Sequence, residues 1–150
     1  RYAGVIDAGL ATLERQPDDA YTLLELGRAY TQAGRHAEAL ATLEQARRLS
    51  SDQPMILAVL GYAQAAAGRK AEAERILAAL ERRARGERVP PYYLAIVAAG
   101  LGDHDRASEW LEQVYAERHV GILSLKVEPE FDGLRSDPRF QDLLRRAGLS

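Results

Sequence analysis

The 150-residue chain contains no cysteine. That removes disulfides, thiol catalysis and thiolate metal sites together, while leaving either side of a membrane open as the compartment. No apolar run approaches the roughly 20 residues needed to cross a bilayer. A net charge of −2 and a pI near 6.0 provide no global field to draw nucleic acid or an anionic membrane surface. No segment sustains the apolar–polar alternation of a strand. No serine sits in a strained elbow motif, and no glycine-rich loop follows a strand to cradle phosphate. What remains is a soluble, globular composition of a length that suits one domain.

A ten-residue phrase repeats along that chain. "GRHAEALATL" begins at Gly34, "GRKAEAERIL" at Gly68 and "GDHDRASEWL" at Gly102, a fixed interval of 34 residues. Aligned at that period, Gly27, Gly61 and Ala95 form a column of small residues. Ala39, Ala73 and Ala107 form another, and Leu43, Leu77 and Leu111 a third. Leu23, Leu26 and Tyr30, then Ala39, Leu43 and Ala46, keep the three-and-four spacing of amphipathic helices. The recurring glycines fall between two such patterns, where a left-handed residue ends a helix at least cost. Two antiparallel helices cross closely only where small side chains meet, and Gly27 with Ala39 is the pair expected at that crossing. The pattern predicts an all-α chain.

These columns resemble the tetratricopeptide repeat. Residues 20–53 and 54–87 carry its consensus positions, Gln64 and Leu80 departing where an aromatic and an alanine are usual. Residues 88–121 match less well at their start, where Pro91 and Ala95 stand. Residues 1–19 look like the second helix of a truncated repeat, with Pro17 in its terminal slot, and 122–150 form a degenerate repeat or cap. The resemblance implies a right-handed α-solenoid with a short C-terminal helical cap, in one domain spanning 1–150. The chain opens on Arg1 inside a patterned segment and is expected to be part of a longer polypeptide.

The tail, "HVGILSLKVEPEFDGLRSDPRFQDLLRRAGLS", breaks the period. Pro129 and Pro138 are expected at the first turns of short helices, capped by Glu128 and Asp137. Phe140, Leu143 and Leu144 then give the last helix an apolar face, and Gly148 ends it. The segment "LKVEPEFDGLRSDPRFQDLLRRAGL" is similar to the close of many bacterial tetratricopeptide proteins. In those the repeats follow a winged-helix regulator, a nucleotide cyclase, a serine/threonine kinase or a β-propeller. Physically, something with a polar outer face must cover the bare flank of a solenoid's last unit.

Candidate chemistry is sparse. His104 lies between Asp103 and Asp105, but residues one or two apart on a helix face different ways and cannot hold one ion. His36 and His119 have no neighbouring ligand pattern. Glu128, Glu130 and Asp132 lack calcium-loop spacing and read as turn and cap residues. Arg82, Arg83, Arg85 and Arg88 complement a helix C-terminus. No metal, cofactor or catalytic set is expected, and the chain is read as no enzyme.

The resemblance instead directs attention to the inner face of the superhelix, lined by the first helix of each repeat. Those positions are Tyr21, Leu24, Glu25, Arg28 and Gln32, then Met55, Val59, Tyr62 and Ala66, then Val89, Tyr92, Tyr93 and Ile96. Of these, Tyr21, Glu25, Arg28, Met55, Val59, Tyr62, Tyr92, Tyr93 and Ile96 are the expected partner-binding residues. Leu24, Val59 and Tyr93 stand where relatives that clamp chaperone tails carry Lys, Asn or Arg, so that specificity is not implied. The expected role is non-catalytic protein–protein interaction or scaffolding, through a peptide or helix in the groove. The alternative is an accessory regulatory domain of a larger bacterial enzyme or transcriptional regulator, acting by substrate recruitment or dimerisation. A protein or peptide partner is expected, with no nucleic acid and no membrane insertion of this segment, the chain being a monomer or weak homodimer. The cytoplasm is the expected location, or the periplasm if a membrane span precedes it.

Overall fold

The structure, a computed structural model, describes residues 2–149. Arg1, at the head of the truncated unit, lies outside the described residues. Seven helices precede the tail: α1 (Ala3–Arg15), α2 (Ala20–Gln32), α3 (His36–Leu49), α4 (Pro54–Ala66), α5 (Lys70–Gly86), α6 (Pro91–Gly100) and α7 (His104–Ala116). Two 3-10 segments follow, Val120–Ser124 and Pro129–Leu134, and α8 (Pro138–Arg146) closes the chain. No strand occurs among the described residues. The architecture is a right-handed α-solenoid in which α2, α4 and α6 stack side by side, each paired with the helix that follows it.

Local chemistry sets the boundaries. Asp19 caps α2 by accepting from the N–H groups of Tyr21 and Thr22, and Gln53 caps α4 ahead of Pro54. Asp103 does the same for α7, and Asp137 for α8 ahead of Pro138. The hydrogen bonds from Arg139 hold Asp137 at about 2, below the usual aspartate value. At the α2–α3 turn Gly34 adopts φ +76°, with its N–H on the Thr31 carbonyl and that of Arg35 on Tyr30. This left-handed closure satisfies carbonyls that a helix end leaves bare.

The small-residue columns pack differently from the expected crossing. The Cβ that Gly27 lacks would fall 3.2 Å from Leu43 Cδ1, and closer to Cδ2 and Cγ than the 3.0 Å that real Cβ atoms keep. Gly27 is therefore the hole that receives Leu43, which comes nearer to it than Ala39 does. Ala39 buries instead among Ile6, Leu26, Ala29 and Tyr30. Leu43 is fully buried and cannot yield. Gly27→Ala gains about 1 kcal/mol of helix propensity but loses about 1–3 kcal/mol to overpacking, so a net destabilisation is expected in urea unfolding. Gly9→Ala is the control, because its nearest neighbour is Leu26 at an ordinary 3.4 Å. It should stabilise, and equal stability of the two variants would mean that the α2–α3 crossing is wrongly placed.

The core grows toward the C-terminus. The largest apolar cluster joins α4, α5, α6 and α7 to Leu125, Phe131, Leu134, Phe140 and Leu143 of the tail. Leu80 fills part of this cluster, so a leucine at that place adds to the core. Gln64 is buried at the position matching Tyr30, its Oε1 without a hydrogen-bond partner.

Candidate partner groove and its tail wall

The inner face of α2, α4 and α6 is partly covered by the tail. α8 packs against α7, covering the flank of the last helix pair. The first 3-10 segment also packs on α7, and the second lies along α6. Tyr92 of α6 is the contact point. Its ring stacks on His119 at 6.1 Å and meets Phe131 edge-on at 5.7 Å. A Cβ on Gly121 would come 2.8 Å from Tyr92 Cγ, so only glycine lets the chain cross this ring.

Charge fastens the same segment to α2, a hundred residues earlier in the chain. Arg28 Nε donates to Glu130 Oε1 at 2.8 Å and Nη2 to Glu130 Oε2 at 3.1 Å. Nη2 also donates to Glu128, and Glu25 Oε1 stands 3.5 Å from Nη1. The Glu130 side chain is only 3% exposed. Burial alone would lower the Arg28 guanidinium, but its hydrogen bonds and charges from Glu130 and Glu128 outweigh that and raise it. Glu128 is thus no helix cap. It precedes Pro129, yet its side chain makes no capping bond and goes to Arg28 instead. A charge-assisted hydrogen bond from the guanidinium is the stronger contact available to it.

Between the helices and this tail lies a pocket of about 230 Å³, lined by Arg28, Met55, Val59, Tyr92, Tyr93 and Ile96 and by tail residues from His119 to Glu130. Six of the nine expected groove residues therefore meet in one place. Burial divides them, since Val59 and Ile96 are core residues showing the pocket an edge, while Met55, Tyr92 and Tyr93 stay half-exposed. Glu25 lines an adjoining cleft with Arg28, Gln32 and Pro129. Tyr62 lies beside Gly100, whose missing Cβ would come 2.8 Å from its ring. Tyr21 is 66% exposed and lines neither hollow. Leu24 and Val89, expected on the inner face, are buried in the core. Burial raises the Tyr92 and Tyr62 hydroxyls, and nearby carboxylates (Glu128 and Glu130 for Tyr92, Glu130 and Asp132 for Tyr62) add to it. His119 and Gly121 were not among the expected site residues. The feature that marks them is a glycine beside an aromatic-contacting histidine in a non-repeating tail.

The other polar groups are engaged elsewhere. Asp103 caps α7 and pairs with Arg106, while Asp105 reaches Arg139 of α8. Arg83 pairs with Glu87 and donates to the Asp52 carbonyl, tying α5 to the α3–α4 turn. A larger hollow of about 570 Å³ lies off the groove, between the end of α5 and α7. Arg85 and Arg88 line it together with Glu81, Glu87 and Glu117. With both signs present, that surface offers no net field for an anionic partner.

Known families match this chain twice, both times as a tetratricopeptide repeat, over residues 30–90 and 92–113. Together the matches cover more than half of the sequence. It is a tetratricopeptide-repeat chain. Tetratricopeptide repeats mediate protein–protein interaction and are typically non-catalytic scaffolds. No curated protein and no solved structure matches the sequence. No helix among the described residues is long and apolar enough to cross a membrane.

Proposed function

We propose that this chain, as a single domain over 1–150, is a non-catalytic interaction module whose groove holds a peptide or helix of a protein partner. The observation carrying this reading is the pocket at the tail wall, where Met55, Tyr92 and Tyr93 remain half-exposed beside buried Val59 and Ile96. Its volume is below the roughly 300–1,000 Å³ of pockets for drug-sized ligands, which suits one anchoring side chain. Around it the tail leaves Val120, Leu123 and Val127 exposed, an apolar continuation on the same segment. The tail is then a wall of the site rather than a plug.

Peptides selected from a displayed random library on the immobilised chain provide the test. Met55→Ala and Tyr93→Ala remove half-exposed groups and should leave helicity intact. Each should weaken binding of the selected peptides about tenfold or more, in line with about 1–3 kcal/mol for a central anchor. Val59 and Ile96 are poor choices, because truncating buried residues costs stability as well. Unchanged binding by both variants would remove the groove as the site.

A further inference from the structure

The chemistry of the partner's anchor is readable from the charges around Arg28. Three carboxylates, from Glu25, Glu128 and Glu130, surround this one guanidinium. Among the described residues, Arg28 is the only lysine or arginine lining the pocket or the adjoining cleft. Lys126, the nearest cation in the tail sequence, is exposed and lines neither hollow, and Arg135 is taken up by Asp132 and by the carbonyls of Leu125 and Glu128. His119 accepts the Gly121 N–H at its Nδ1 and has no ion pair with any of the three carboxylates among the described residues. The negative charge is therefore in surplus, beside the Tyr92 and Tyr93 rings and the apolar Met55 side chain that line the pocket. A surplus carboxylate partly shielded from water attracts a cation by charge, and apolar and aromatic surface beside it suits the methylene stem of a long basic side chain.

We propose that this pocket receives a lysine or arginine side chain of a protein partner, carried on a segment with apolar residues beside it. The inference rests on the groove reading and adds the partner's chemistry to it. The cationic head lies against Glu128, with Glu25 adding negative charge from the adjoining cleft, its aliphatic stem along Met55 and Tyr93, and the flanking apolar residues reach Val120. An acidic partner segment would meet like charge here, a juxtaposition that interfaces use to reject wrong partners.

The test uses the displayed random library and the whole chain. Pools selected on the parent should be enriched in lysine or arginine with apolar neighbours. Changing that basic residue to glutamine in a selected peptide should weaken binding about tenfold or more, and to glutamate further still. Glu25→Gln leaves both tail carboxylates on Arg28 and so should keep the fold, verified by circular dichroism. Glu25→Gln and Glu128→Gln should each reduce the preference for the basic peptide over its glutamine counterpart. Glu109→Gln, an exposed acid on α7 that lines neither hollow, should not, which separates the site from general attraction to an acidic chain. Pools without basic residues, or binding indifferent to them, would overturn this inference and leave the groove reading standing. A preference that falls equally in Glu109→Gln would overturn it as well. If no pool is selected, or if Met55→Ala and Tyr93→Ala bind like the parent, the groove reading fails and the inference with it.

Discussion

Phe131→Ala is expected to be the most damaging single truncation in the tail. The ring is fully buried, edge-on to Tyr92 and 6.3 Å from Phe140, in the cluster that joins α6 to the tail. Truncating a buried phenylalanine costs about 3–5 kcal/mol, because the transfer energy is lost and a cavity remains. For a chain of this size each kcal/mol moves the melting temperature by about 2–4 °C, so a fall on the order of 10 °C is expected. Differential scanning calorimetry measures it directly. A displacement of only a degree or two would mean that the tail is a loosely attached appendage. Peptide capture should fall as well, since the residues from His119 to Glu130 that wall the pocket lose their anchor.

The repeating part of the molecule was legible because its physics is local. The fixed interval from Gly34 to Gly68 to Gly102 records three identical left-handed helix ends, and the leucine columns record one buried stripe per helix. Asp137–Pro138 could be read for the same reason, since a cap and its helix are neighbours in sequence. Gly27 shows where local reading stops. Its smallness was visible, but whether Ala39 or Leu43 fills the space depends on how two helices are rotated about their axes. The tail shows it more strongly. Glu128 before Pro129 has the form of a cap, and nothing nearby says that Arg28, a hundred residues away, will outbid the helix end for its carboxylate. Gly121 offers no signal by itself, because its need for a bare Cα is set by a tyrosine in another helix. A usable clue did exist, in that a groove arginine and a pair of tail acids beside a large apolar residue are complementary.

The bond between Arg28 and Glu130 is the direct measure of a tail that returns to the first repeat. Arg28→Met keeps the length of the side chain and strands a buried carboxylate. Glu130→Gln keeps the shape and removes the charge. Removing one partner of a fully buried ion pair costs about 3–5 kcal/mol. Because the Arg28 side chain remains 26% exposed, water screens part of the loss, and each single substitution is expected to cost about 1–3 kcal/mol. The decisive quantity is the double-mutant cycle, from urea unfolding of the parent, the two single variants and the double variant. With the tail folded back onto α2, the double variant should lose less than the two singles combined, with a coupling of about 1–3 kcal/mol. Additivity within about 0.5 kcal/mol is what independent, distant sites give, and it would contradict a tail that folds back onto α2 through Arg28.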